Sequence, residues 1–84
     1  MIKEFIKNNN LTFEEGCRNT HVTIIIGYAQ HLGLIKEELD DELSEQYDED
    51  LFIAEEVTRL FDYCNKRNYK NFWSTDEAKK RYKF

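Results

Sequence analysis

Residues 20–33 read THVTIIIGYAQHLG, and whether this stretch is helix or strand decides the fold. β-Branched side chains crowd at Val22–Ile26, as they do in a buried strand. The wider spacing reads as helix. Phe13, Cys17, Ile24, Tyr28 and Leu32 recur on one face, and Gly33 stands where a left-handed residue closes a last turn. No other segment offers a strand at 22–26 a partner, and one strand alone leaves its backbone groups unsatisfied. We read a helix, opened by Thr12 and Glu15 as a capping box.

Working outward, the same logic yields helices on both sides. Ile2, Phe5 and Ile6 form one apolar face and predict a helix over Ile2–Lys7, ended by Asn8–Asn10. Ile35, Leu39, Leu43 and Tyr47 repeat every four residues, which predicts a helix over Lys36–Tyr47 with that row turned inward. Asp48–Asp50 supply first-turn anions for a further helix. Phe52, Ile53, Glu56, Val57, Leu60, Phe61 and Cys64 carry it to about Asn65. Asn68–Trp73 reads as an aromatic linker or turn. Ser74 and Glu77 form a capping box for a short helix at Thr75–Tyr82, with Trp73 and Ala78 in staple positions. The chain has no proline and three glycines, so breakers are scarce. The expectation is an all-α single domain over residues 1–84, built from four to five short helices. Its expected core is Phe5, Ile24, Tyr28, Leu32, Leu39, Leu43, Val57, Leu60 and Phe61.

Charge is sorted along the chain. Residues 1–36 carry net +1, residues 37–56 carry eleven acidic groups and no basic one, and residues 57–84 carry net +5. Carboxylates packed so densely repel one another, and a few lysines would relieve them. A solvated helical face is one reading of the block, and a binding face is the other. With Leu39 and Leu43 inward, Glu38, Asp41, Glu42 and Glu45 should face out, and Glu37 and Asp40 should flank them. Asp48 and Glu49 extend the face.

Ala29, Gly33 and Leu39 match the small–glycine–aliphatic spacing of a helix-turn-helix, and Tyr28–Leu43 resembles that class over about 16 residues. The resemblance implies a corner between two helices. The second would carry Glu37, Glu38, Asp40, Asp41 and Glu42 towards phosphates, which repels them, so duplex DNA binding is not expected. Near the far end, Tyr69, Phe72 and Trp73 interleave with Lys70, Lys79, Lys80, Arg81 and Lys83. That mixture suits single-stranded nucleic acid, or else core aromatics beside solvated lysines. We favour the core reading.

Other classes find little purchase. No apolar run reaches the roughly 18 residues of a membrane span, and no secretory signal precedes the polar stretch Lys7–Asn10. Cys17 and Cys64 belong to no Cys-x-x-Cys pair and read as reduced thiols in a cytoplasmic protein. Cys17 with His21 is one close pair where a structural zinc site uses two, so no metal is expected. The region after Asp48 lacks the glycine and the last glutamate of a calcium loop. No phosphate loop, nucleophile elbow or His-x-x-x-His face is present, and neither enzyme activity nor a cofactor is expected. Phe, Tyr, Met, Ile, Asn and Lys total 34 residues against 10 of Gly, Ala, Arg and Pro, a skew that suggests an AT-rich genome, bacterial or phage; with the small size and stand-alone charge it suggests a phage or mobile element. The expected function is a non-enzymatic acidic binding protein of that origin. It would inhibit or modulate a basic, nucleic-acid-handling partner through Glu38, Asp41, Glu42, Glu45, Asp48 and Glu49, by nucleic-acid mimicry in its sharpest form. The alternative is a nucleic-acid-binding regulator using the corner or the basic aromatic segment. Either reading leaves a homodimer open.

Overall fold

Val22–Ile26 is helical. It lies inside α2 (Arg18–His31), where Val22, Ile24, Ile25, Ile26, Tyr28 and Ala29 are each 8% exposed or less. An amphipathic helix would show a polar side over such a run. The middle of α2 instead runs through the centre of the molecule, and a helical stretch buried over most of its circumference reads like a buried strand. Around it stand α1 (Ile2–Asn8), α4 (Leu51–Lys66) and a 3-10 helix (Tyr69–Ser74). α3 (Lys36–Tyr47) leans on α1 and α4, and α5 (Asp76–Arg81) on the 3-10 helix. This computed structural model describes residues 2–12, 16, 18–47 and 51–84, and the side chains of all of these but 18, 44–47 and 51–54. No strand occurs among the described residues, and the protein is an all-α domain.

Helix ends follow local chemistry. Gly33, at φ 87°, closes α2: Leu34 N–H donates to the Ala29 carbonyl at 3.0 Å and Gly33 N–H to Gln30 at 3.1 Å. This double bond is the Schellman arrangement. Asn10, at φ 54°, closes α1 the same way, with Leu11 N–H on Ile6 at 3.0 Å and its own N–H on Lys7 at 3.3 Å. The start of α2 differs from the expected one. Gly16 sits in a turn at φ 101°, and the described helix runs from Arg18. Thr12 meets the His21 ring instead: Nδ1 lies 2.9 Å from its N and 2.7 Å from its carbonyl oxygen, so either tautomer has a partner there. Phe13, Glu15 and Cys17 lie outside the described residues.

The core holds Phe5, Ile24, Tyr28, Leu39, Leu43, Val57 and Leu60 as expected, with Phe61 half-buried. Leu32 is 37% exposed and Ile35 56% exposed, against the expectation that both turn inward. A spacing of four overshoots the 3.6-residue turn, so Leu32 has rotated away from the face that Ile24 and Tyr28 share. Ile35 precedes the first turn of α3 and does not share the helix face of Leu39.

The aromatic segment 69–74 is no mere linker. Trp73 is 1% exposed and meets Phe5, Tyr28, Phe72 and Tyr82 at ring separations of 5.0–5.5 Å. Offset edge contacts of this kind add to area burial. Thr75 caps α5, its hydroxyl oxygen accepting from Ala78 N–H at 3.3 Å, one position later than the expected Ser74. Asn9 ties the last residues to the first helix. Its Nδ2 donates to the Phe5 and Lys83 carbonyls at 2.9 Å each, and its Oδ1 accepts from Lys83 N–H at 2.7 Å.

Candidate anionic interface

The site is built on α3. Ile35 supplies the flanking position: its carbonyl accepts from Leu39 N–H at 3.1 Å, and its N–H donates to the Glu38 carboxylate at 3.1 Å. Glu38 therefore satisfies an orphan donor at the helix start, where the helix dipole also favours a negative charge. Leu39 and Leu43 are buried and fix which way the helix faces. Glu37, Glu38 and Asp41 then lie exposed, and Asp40 and Glu42 are half-buried. Glu42 was expected to face outward. It stands beside Leu43 and one turn from Leu39, which places it on the flank as Asp40 is placed. Its Oε2 is buried and has no hydrogen-bond partner. The side chain of Glu45, and Asp48 and Glu49 altogether, lie outside the described residues.

Cations meet the block at its two ends. Lys36 Nζ lies 2.7 Å from Asp40 Oδ2, and this hydrogen bond raises the Lys36 ammonium above its ordinary range. Arg59 pairs with Glu56, whose other hydrogen bond, 2.8 Å long, comes from Asn19 Nδ2 on α2. Between these ends, α3 presents Glu37, Glu38 and Asp41 to solvent.

The rest of the charge sits elsewhere. Lys66 pairs with Asp62 at 3.1 Å, Arg81 pairs with Glu77 at 2.7 Å, and Arg67 lies over the Tyr63 ring at 5.1 Å. Trp73 is buried and Phe72 and Tyr82 are half-buried against the core. The helix-turn-helix-like corner is present, with Ala29 and Leu39 fully buried and Gly33 at the turn. α3 packs chiefly on α1 and α4 rather than on α2, which separates this corner from a pair of mutually packed DNA-reading helices.

Two open clefts of about 390 Å³ each flank α4. One, between α2 and α4, is lined by Thr23, Arg59, Tyr63, Tyr69 and Tyr82 among others. The second lies at the α2–α3 turn. Among the described residues no three His, Cys, Asp or Glu side chains gather as a metal site. Cys64 is fully buried, and burial pushes its thiol up. No helix among the described residues is long and apolar enough to cross a membrane. Sequence reasoning missed the Asn9 clamp and the capping role of Glu38, although Glu at the third position of a helix is a recognisable signal. Compared with protein-family models, curated proteins and solved structures, the chain matches none.

Proposed function

We propose that this protein is a non-enzymatic binding protein whose anionic α3 face occupies a basic groove on a nucleic-acid-handling partner. One observation carries the reading. Leu39 and Leu43 lock α3 so that Glu37, Glu38 and Asp41 form an exposed row, while the sequence supplies no cation between residues 37 and 56. A regular row of carboxylates on a rigid helix resembles a phosphate backbone in charge, and complementary potential steers association and register. Glu45, Asp48 and Glu49 would lengthen the row along the sequence, and Glu42 would border it. The AT-rich residue skew points to a phage- or mobile-element-type modulator acting in the cytoplasm. A DNA-reading role for the corner needs cations where these carboxylates stand.

The test begins with a tagged pull-down and identification of the partner. Affinity is then compared between wild type and a double reversal, Asp41→Lys with Glu45→Lys, at low and moderate salt. The reversal should weaken binding sharply in a protein that still melts cooperatively, and added salt should slow wild-type association. Unchanged affinity in the folded double variant would end the reading.

A further inference from the structure

The cleft of about 390 Å³ between α2 and α4 has walls whose order is fixed by contacts between its elements. At one end Asn19 Nδ2 of α2 donates to the Glu56 carboxylate at 2.8 Å, and the Arg59 guanidinium pairs with the same group. One turn further along α4 stands Tyr63, 46% exposed, with Arg67 over one face of its ring. Beyond the end of α4, the Tyr69 ring lies against Gly27 of α2, and Tyr82 joins it in the lining. Ile24 and Leu60 also line the cleft and are buried, so they form its floor. The aromatic rings thus lie away from the Glu56 end. Among the described residues Arg59 is the one charged side chain of the lining, and Glu56 neutralises it. A phosphate needs a cation to spare, and here it would have to displace Glu56. The chemistry of the walls suits an uncharged occupant.

We propose that this cleft holds an uncharged, proline-rich segment of another protein in the polyproline II conformation, with its rings against Tyr63 and Tyr82 and a carbonyl bonded by the Tyr69 hydroxyl. Such a segment makes no internal hydrogen bonds, so its carbonyls seek donors, and its rings pack on aromatic side chains. Burial, with Tyr82 adding, holds the Tyr69 phenol above its ordinary range, which keeps it a hydroxyl donor at neutral pH. The lengths agree. Arg59 and the end of α4 at Lys66 stand about 10 Å apart along the helix axis, and one turn of polyproline II spans about 9 Å. No residue of α3 lines the cleft, so this site and the anionic row stand or fall separately.

Decaproline, blocked at both ends, is titrated into the isotope-labelled full chain. It should shift the amide resonances of Thr20, Thr23, Tyr63 and Tyr69 saturably, with a dissociation constant on the order of 0.1–1 mM. A glycine–serine peptide of equal length should not. Tyr63→Ala should weaken binding at least about fivefold, and Tyr69→Phe, which removes the hydroxyl alone, about threefold. Arg59→Gln should change it less than about twofold, and so should raising sodium chloride from about 20 mM to about 300 mM, because the ligand carries no charge. Circular dichroism checks that each variant stays helical; Arg59 and Tyr63 are exposed, and Tyr69→Phe keeps the ring. No saturable shift by about 5 mM decaproline, shifts centred away from the cleft, or equal shifts with the glycine–serine peptide would overturn the proposal. Tighter binding of adenosine monophosphate or maltohexaose at these residues would overturn it too, and would make the cleft a nucleotide or a sugar site.

Discussion

Gly27 has no room for a side chain. A Cβ built there would lie 2.6 Å from Tyr69 Cε1 and 2.8 Å from Trp73 Nε1, closer than such atoms pack. The glycine therefore sets how near the 3-10 helix approaches α2. In an open helix Gly→Ala gains up to about 1 kcal/mol. Overpacking a filled core costs about 1–3 kcal/mol, so the clash should win. Gly27→Ala should lower the urea midpoint, and a stabilised variant would show that the 3-10 helix sits further out. Three buried or half-buried groups make a second expectation. Burial pushes up the Cys64 thiol and the Tyr28 and Tyr69 phenols, with the nearby Glu4 charge adding at Tyr28 and Tyr82 adding at Tyr69. Each is neutral when protonated, and the unfolded chain ionises at the ordinary values, 9.0 for the thiol and 10.0 for the phenols. Their stabilisation is thus fully present below pH 9.0 and is lost as pH rises through the raised folded values. Denaturant midpoints followed from neutral into alkaline solution should hold level and then fall, and Cys64→Ala should delay the onset. A midpoint that climbs above pH 9.0 would contradict the burial of all three.

The caps test the structure at the scale of elements. Thr75 Oγ1 donates to the Phe72 carbonyl at 2.7 Å and accepts from Ala78 N–H at 3.3 Å, joining the end of the 3-10 helix to the start of α5. Thr75→Ala should cost about 0.5–2 kcal/mol, and Ser74→Ala should cost far less. Thermal melts of the two variants decide between neighbouring capping positions, and the reverse order would restore the Ser74 box. That box was the natural reading, because Ser74 with Glu77 completes the motif while Ala78 stands three residues after Thr75, and only the fold selects Thr75. α2 shows the same limit. Its helical nature was legible from spacing and from the lack of a strand partner. Its enclosure was not, since burial over most of the helix circumference blurs the periodicity that marks a face. The 3-10 helix escaped because Trp73 is placed by Phe5 and Tyr28, far away in sequence. Of the candidate site, the acidic row and its outward direction were legible from Leu39 and Leu43. The engagement of Glu38 with Ile35 and the flank position of Glu42 depend on where α3 starts and on what it leans against.

Over the whole molecule, charge sorting sets repulsion against attraction, and salt distinguishes them. Within α3, Glu37 stands three and four residues from Asp40 and Asp41, and Glu38 three and four from Asp41 and Glu42. Each such like-charge pair costs about 0.2–0.5 kcal/mol. Against them stand Lys36–Asp40, Arg59–Glu56, Lys66–Asp62 and Arg81–Glu77. The last two are largely solvated and the first two partly so; at such helical spacings each is worth about 0.3–0.5 kcal/mol, and less where most exposed. Local terms nearly cancel, and the net charge of −5 tips the remainder towards self-repulsion. Repelling groups stand further apart than the ion-paired atoms, so screening over about 10 Å at 0.1 M removes more repulsion than attraction. Raising sodium chloride from about 10 mM to about 200 mM should therefore raise the melting temperature, by about 2–8 °C for a gain of about 0.5–1 kcal/mol. A melting temperature that falls would mean that the carboxylates of α3 are held by the cations of the later helices. Those carboxylates would then already be matched within the chain, and a basic partner would have to displace internal contacts before it could bind.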